Sequence, residues 1–132
     1  MLVFSEYQTD TIDLALDFYG YEDCPKNYEF GPSVRDNFVL HFITKGKGVF
    51  HINKKEIHLE AGDLFLLPKN KVTYYQADAE DPWSYYWIGI SGTKVSDFMR
   101  FSTLHEKGFL KKTEVDTDRI GQFMEQLVHK AE

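Results

Sequence analysis

The chain has 132 residues, of which 42% are hydrophobic and 27% charged, so it forms one soluble globular domain rather than a disordered segment. Its net charge of −6 argues against direct binding to a phosphate backbone, and its single cysteine, Cys24, excludes a disulfide framework or a thiolate zinc cluster. No apolar stretch is long enough to span a bilayer and no signal-peptide pattern opens the chain, so we expect a cytoplasmic domain without membrane contact.

The first third of the chain combines alternating, turn-rich and apolar segments. Residues 12–19 alternate apolar and polar side chains with the period of a half-buried strand. Residues 20–33 contain two glycines and two prolines, which predicts turns and loops. Residues 38–44 form an almost continuous apolar run that ends in a Lys-Gly-Lys-Gly sequence, so we expect a strand covered on both faces and then a tight turn.

The middle of the chain consists of short apolar runs separated by turn residues. Four turn signals divide residues 49–90, and the runs between them alternate with strand periodicity. The predicted strands are 49–52 and 56–59, which form a hairpin, then 64–67, 72–77 and 83–90. Strands of this length and spacing are typical of an antiparallel sandwich or barrel.

Helical periodicity replaces the strand pattern after Gly92. Val95, Phe98 and Met99 recur at helical spacing, and a second such run, 120–128, follows an Asp-x-Asp sequence that can cap a helix. We therefore predict a mainly β protein with three parts. They are an N-terminal arm (1–11), a β-barrel domain (12–92) and a helical extension with two helices (93–132).

Comparison with the metal-binding motifs of cupins shows the scaffold residues without the metal ligands. Gly62 and Pro68 keep the five-residue gap of the second cupin motif, but Thr73 stands where its metal-binding histidine is expected. The histidine slots of the first motif fall near Ser33 and Arg35. Divalent metals in such barrels need two or three imidazoles and a carboxylate. The sequence predicts a cupin-like barrel with neither a metal nor another cofactor.

One histidine is a candidate for chemistry. His51 and His58 lie opposite the apolar alternation of the hairpin, which indicates a solvated face, whereas His41 lies within an apolar strand. His41 can be a structural core residue, a ligand contact or a base, and the sequence leaves these alternatives open. No nucleophile-elbow or phosphate-loop motif occurs, and we do not expect an enzyme.

Aromatic residues concentrate in one region. Six of the fourteen residues from 74 to 87 are Tyr or Trp. Their flat faces and polar tips suit the C–H faces and hydroxyls of a sugar, although the same pattern fits rings that only fill a small barrel. The candidate ligand contacts are Trp87, Tyr75, Tyr85 and Arg35, and after them His41 and Trp83.

Four segments, 20–24, 31–48, 59–78 and 81–92, resemble the N-terminal sensor domain of AraC-type transcriptional regulators. The most specific patterns are R-x-x-F-x-L-H-F-I-x-x-G-K-G and Y-x-A-D-x-x-x-P-W-x-Y-x-W-I. The closest likeness is to regulators of oligosaccharide-utilisation operons in Gram-positive bacteria. Together the matching segments make the resemblance extend over about residues 15–130, nearly the whole chain.

The resemblance implies a metal-free cupin-like barrel, or double-stranded β-helix, whose interior holds a small effector such as a mono- or oligosaccharide. In the arabinose-responsive member of the family a Trp of the last barrel strand stacks on the sugar, and Trp87 matches its position. Tyr75 matches a tyrosine after the proline turn, while Tyr85 replaces a histidine and so alters the hydrogen bonding. Arg35 corresponds loosely to the sugar-contacting arginine, and the arm (1–11) is expected to fold over the pocket.

Members of this family continue with a long dimer-forming helix and a DNA-binding domain of two helix-turn-helix units. Both would follow Glu132, so we expect a sensor fragment of a regulator that dimerises at full length and contacts DNA only through that further domain. Two alternatives remain at this point. One is a standalone cupin isomerase or epimerase that uses His41 as its base, and the other is an interaction module in which the aromatic rings are core.

Overall fold

The computed structural model describes residues 15–35, 37–92 and 103–131, which form nine strands and two helices. The strands are β1 (Ala15–Asp23), β2 (Glu29–Val34), β3 (Phe38–Lys45), β4 (Lys47–Ile52), β5 (Lys55–Glu60), β6 (Leu64–Leu67), β7 (Val72–Ala77), β8 (Ser84–Ser91) and β9 (Phe109–Leu110). The helices are α1 (Thr103–Lys107) and α2 (Asp118–Ala131). The predicted arm and the predicted helical run at 95–99 lie outside the described residues.

The strands form two antiparallel sheets that face each other. One sheet has five strands in the order β1-β8-β3-β6-β9, and the other has four in the order β2-β7-β4-β5. Only isolated bridges, Arg35–Lys69 and Lys47–Pro82, connect described residues of one sheet to the other. The prediction of a mainly β, antiparallel fold is confirmed, but the strands do not close into one continuous barrel because the hydrogen-bonded ladders stop at these corners.

The central strand β3 separates two hydrophobic clusters. Val39 and Ile43 belong to the cluster between the sheets, whereas Leu40 and Phe42 pack on the opposite face with residues of α2. Successive side chains of a strand point to opposite faces, so a strand with both faces covered needs an apolar residue at almost every position. This confirms the prediction for residues 38–44.

Helix α2 covers the outer face of the five-stranded sheet. Met124 and Val128 are buried, while the neighbouring Phe123 is 54% exposed, so the helix has one apolar face. The backbone N–H of Asp118 donates to Oδ1 of Asp116 at 3.1 Å, which satisfies an amide at the start of the helix. The predicted helix and its acidic start are confirmed.

The prediction of a loop over residues 20–33 is wrong for most of its length. Strand β1 continues to Asp23 and β2 begins at Glu29, so only the residues between them form the connection. Gly20 belongs to β1, where it lies opposite Trp87 of β8. Gly31 and Pro32 belong to β2, whose pairing with β7 is irregular at this point. Both residues are tolerated there because the strand ladder is already interrupted.

Two short features complete the described fold. Asn53 and Lys54 both have positive φ values of 53° and 64°, as the two-residue turn of the β4–β5 hairpin requires, and this confirms the predicted hairpin. The two-residue strand β9, absent from the sequence-based prediction, pairs with β6. Within the described ranges, neither helix has the length and apolar character needed to cross a membrane.

Candidate functional site

A cavity of about 160 Å³ lies between the two sheets. The structure brings five of the six predicted ligand contacts to its wall: Trp87, Tyr75, Tyr85, Arg35 and His41. They come from β3, β7, β8 and the residue after β2, elements that are distant in sequence. A larger open groove of about 660 Å³ on the outer side of the β4–β5 hairpin contains none of the six. The cavity between the sheets is therefore the candidate site.

The pairing of three strands positions the indole of Trp87. On β8 this residue lies opposite His41 of β3 on one side and opposite Gly20 of β1 on the other. A Cβ atom on Gly20 would lie 2.3 Å from Cζ2 of the indole, so the ring occupies the space that any other side chain would fill. A glycine on a neighbouring strand is a common seat for an aromatic ring.

A glycine on a neighbouring strand also leaves space for the ring of Phe18 at the cavity wall. A Cβ atom on Gly89 of β8 would lie 2.3 Å from Cζ of the Phe18 ring. The guanidinium carbon of Arg35 lies 5.1 Å from the centre of that ring and 5.8 Å from the centre of Phe30. These distances are within the range of cation–π contacts, so the two rings hold Arg35 at the edge of the cavity.

The tyrosines of the cavity are buried and stay protonated. Tyr75 and Tyr85 are 5% and 2% exposed, and their ring centres are 6.2 Å apart. Burial raises the pKa of Tyr75 to about 12, and burial also raises the pKa of Tyr85, with the nearby Tyr75 as the next cause. At neutral pH both side chains are uncharged phenols that can donate or accept a hydrogen bond.

His41 is a neutral imidazole whose ring lies close to the backbone of Val39 and Phe65, and whose Nδ1 has no hydrogen bond of full geometry among the described residues. The side chain is 2% exposed and stacks on Phe65, with 4.2 Å between ring centres and 7° between ring planes. Burial lowers the pKa of His41 to about 3, and the Arg35 guanidinium contributes to this in smaller measure. An unpaired buried polar atom at a cavity wall is a site where a ligand hydroxyl gains a hydrogen bond.

Trp83 is the predicted contact that does not reach the cavity. It is fully buried, stacks on Phe65 with 5.2 Å between ring centres, and fills the space over Gly48. The ring lies in the core behind Tyr85, whose ring centre is 6.3 Å away. Trp83 belongs to the same cluster between the sheets as Tyr85 and Trp87, but at its point of that face the space is filled by core side chains and no cavity is left.

Other residues singled out in the sequence lie away from the cavity. His58 is exposed, with its Nε2 3.5 Å from Oε2 of Glu56, in agreement with a solvated face of the hairpin. Cys24 is buried, and burial raises the pKa of its thiol to about 11, which leaves it unreactive. Among residues 15–35, 37–92 and 103–131, no three His, Cys, Asp or Glu side chains are grouped as a metal site requires.

Sequence reasoning missed several cavity residues on β1, on β2 and in the connection between them. They are Phe18, Glu22, Tyr28 and Phe30. Apart from Phe18, all of them fall in the segment that was predicted as a loop, where no strand face could be assigned. The isolated glycines Gly20 and Gly89 were the available signal, because a glycine inside a strand marks the close approach of another group.

Solved structures with a similar fold are cupins. A predicted oxalate decarboxylase from Thermotoga maritima superposes with a TM-score of 0.54 at 18% identity, over 66% of this chain and 73% of that chain. The cupin domain of Cnp3 from Schizosaccharomyces pombe gives 0.52 at 15% identity, over 67% and 62%. At such identities the likeness shows the fold alone, and the fold is cupin-like, as predicted.

Sequence comparison identifies nearer relatives. The chain is 48% identical over 105 residues to the Msm operon regulatory protein of Streptococcus mutans, which covers 80% of this chain and 38% of that protein. It is 42% identical over 100 residues to the raffinose operon transcriptional regulatory protein RafR of Pediococcus pentosaceus, covering 74% and 36%. The lactose operon transcription activator of Staphylococcus xylosus is 30% identical over 124 residues, covering 93% and 44%.

The chain spans about two fifths of the length of these relatives. The family model for the AraC-like ligand-binding domain matches residues 15–132, which include both sheets, the cavity and helix α2. This agrees with the resemblance found in the sequence. The chain belongs to the family of AraC-like ligand-binding domains.

Proposed function

We propose that this chain is the effector-sensing domain of a transcriptional regulator of carbohydrate utilisation, and that its effector is a sugar bound between the two sheets. The regulators of raffinose and lactose operons among its relatives support the choice of a sugar. The observation that carries the proposal is the cavity itself, where the Trp87 ring, two phenols, a guanidinium and an unpaired imidazole nitrogen meet.

The size and lining of the cavity favour a sugar ring. A dry protein cavity of about 150 Å³ is known to hold a single six-membered ring, and this cavity measures about 160 Å³. A pyranose has an apolar C–H face for the Trp87 indole and a rim of hydroxyls that both donate and accept. Hydrogen-bond donors for these hydroxyls are available on Tyr75, Tyr85 and Arg35. Nδ1 of His41 can form a further hydrogen bond with one of them.

Two strands connect the cavity to helix α2. On β8, Trp87 lines the cavity and the next residue, Ile88, packs in the cluster that contains Met124 of α2. On β3, His41 lines the cavity and the Phe42 ring lies against Gly121. A sugar that shifts these strands therefore also changes the packing contacts of Ile88 and Phe42 with α2. In the intact regulator we expect this to alter dimer geometry and DNA affinity, with reciprocal coupling between DNA and sugar.

An isomerase or epimerase is the less favoured function. Such an enzyme needs a base whose pKa lies near the working pH, whereas burial lowers the pKa of His41 to about 3. A purely structural interaction module is also less favoured, because it would have no reason to keep a cavity lined by polar side chains between its sheets.

Tryptophan fluorescence provides the test of the proposal. The 132-residue chain is titrated with arabinose, xylose, glucose, galactose and their oligosaccharides, and Trp87 and Trp83 are its only fluorescent indoles. We expect a saturable change with at least one sugar, and the same titration of Trp87→Phe should lose it. If every sugar leaves the signal flat while circular dichroism shows an intact fold, the proposed effector class is wrong.

A further inference from the structure

The inner cavity adjoins a second, outer cleft of about 540 Å³. Phe18, Phe30 and Arg35 line both spaces, so the cavity and the cleft are neighbours across these three side chains. The cleft is formed by the end of β2, the residues that follow it and the turn before β7. A ligand that reaches past the Arg35 side chain from the cavity would therefore enter the cleft.

The outer cleft also contains unpaired polar atoms. Oγ of Ser33 and Oδ1 of Asn37 are buried atoms without a hydrogen-bond partner among the described residues, and both side chains line the cleft. The amide nitrogen of Asn37 donates to Oδ2 of Asp17 at 3.2 Å, which fixes the side chain so that Oδ1 is the acceptor left over. Burying such atoms without partners destabilises the fold, and a ligand that bonds to them removes that cost.

We propose that the outer cleft is a second sugar subsite, which binds the next unit of an oligosaccharide whose terminal ring lies in the inner cavity. The inference rests on the proposed function, since it assumes that a sugar occupies the cavity. It narrows the effector to a saccharide of at least two units. The inner cavity has room for one ring only, and Ser33, Asn37 and Arg35 recognise the hydroxyls of the ring that follows.

The chemistry of the cleft suits a hydroxyl-rich ligand without charge. Asn37 supplies an acceptor and the Ser33 hydroxyl can donate or accept, so together they match a pair of neighbouring sugar hydroxyls. The Arg35 guanidinium, held over two phenyl rings, has donors available on the edge that separates the two spaces. A free monosaccharide would form hydrogen bonds in the cavity and leave the Ser33 and Asn37 oxygens of the cleft without partners.

Calorimetric titration of the 132-residue chain with matched sugars tests the inference. The pairs are galactose with melibiose, galactose with lactose, and glucose with maltose, and raffinose is added as a trisaccharide. In at least one pair we expect the oligosaccharide to bind about tenfold more tightly or better than its monosaccharide, which corresponds to one or two added hydrogen bonds. Equal affinities within every pair that binds would overturn the second subsite while leaving the proposed function intact.

Substitutions in the cleft distinguish sugar binding in the cleft from sugar binding in the cavity. Ser33→Ala and Asn37→Ala should each weaken the oligosaccharide about three- to tenfold and leave the monosaccharide unchanged. Gln122→Ala, an exposed amide on α2, is the control and should change neither. If the Ser33 and Asn37 variants weaken both sugars equally, or neither, the cleft is not a subsite. If no sugar binds the parent chain, the proposed function fails, and the subsite fails with it.

Discussion

Two glycines determine how aromatic rings reach the cavity. Gly20 and Gly89 lie on adjacent strands, and a side chain at either position would collide with the ring of Trp87 or Phe18. Both rings therefore depend on a residue that makes no contact of its own with a ligand. At the scale of single residues, the shape of the site therefore depends on two positions without a side chain as well as on the residues that line the cavity.

Replacing Gly20 with alanine should displace the Trp87 indole. We expect about 1–3 kcal/mol of lost stability from overpacking and at least a tenfold loss of sugar affinity. The control is Gly121→Ala, where the new Cβ would meet the Phe42 ring at 2.4 Å on the far side of the sheet. That variant should lose comparable stability but much less affinity than Gly20→Ala, because it acts on the cavity only indirectly through β3. Calorimetry and denaturant unfolding of both variants provide the comparison, and equal losses of affinity would contradict the role of Gly20.

The buried His41 predicts a pH dependence of stability. Its pKa is lowered from an ordinary 6.5 to about 3, so between these values the unfolded chain binds a proton that the folded chain does not. Stability is therefore full above pH 6.5 and falls as the pH decreases toward 3, by up to about 1.4 kcal/mol per unit. Urea unfolding at pH 7 and pH 5 should show a smaller difference for His41→Asn than for the parent chain. An equal difference in both proteins would show that His41 is not the group responsible.

At the scale of elements, β3 and β8 carry the cavity on one face and helix α2 on the other. Because successive side chains of a strand point to opposite faces, each residue that lines the cavity is followed by one that packs toward α2. Helix α2 itself is held by one apolar face, since Met124 is fully buried and Phe123 is 54% exposed. The position of this helix therefore depends on the same two strands that line the cavity.

Neighbouring positions of α2 should respond very differently to truncation. Met124→Ala should lower the free energy of unfolding by about 2–5 kcal/mol, because it leaves a cavity between the helix and the five-stranded sheet. Phe123→Ala should change it by less than about 1 kcal/mol, since most of that ring is in solvent. Thermal and urea unfolding of the two variants measure this. Similar losses would mean that α2 does not pack on the sheet through the face described.

The sequence predicted the elements with clear periodicity and missed those without it. Strand β3 and helix α2 were found because each has an apolar pattern of full length. Strand β2 was missed because Gly31 and Pro32 are turn residues in most contexts, and only its pairing with β7 makes it a strand. The two residues of β9 are too few to show any alternation, and tertiary pairing alone defines them.

The candidate site was predictable where it lies on regular strands. Tyr85 and Trp87 share a face of β8 by simple alternation, and the structure brings both to the cavity. Their ligand-binding roles, with those of Tyr75, Arg35 and His41, stay predictions. Trp83 lies on the same face, as predicted, but its ring is fully buried in the core and does not line the cavity. Alternation assigns a face of the strand and does not show where along that face a cavity lies.

At the scale of the whole molecule, two clusters share the five-stranded sheet. The inner cluster surrounds the cavity, and the outer cluster joins the sheet to α2. Packed cores deform little, so a ligand that fills the inner space constrains the shared strands and, through them, the helix. A sensing domain needs such a connection between its effector and the rest of the regulator, and a rigid two-cluster sheet supplies it.

The most direct test of this account compares the two tryptophans. Sugar affinity and the free energy of unfolding are measured for Trp87→Ala and Trp83→Ala. Trp83 is fully buried core, so its removal should cost about 3–5 kcal/mol of stability. Trp87 is only partly buried at the cavity wall. Its removal should abolish sugar binding at a smaller cost in stability. A Trp87→Ala variant that binds the sugar as well as the parent chain would contradict the account.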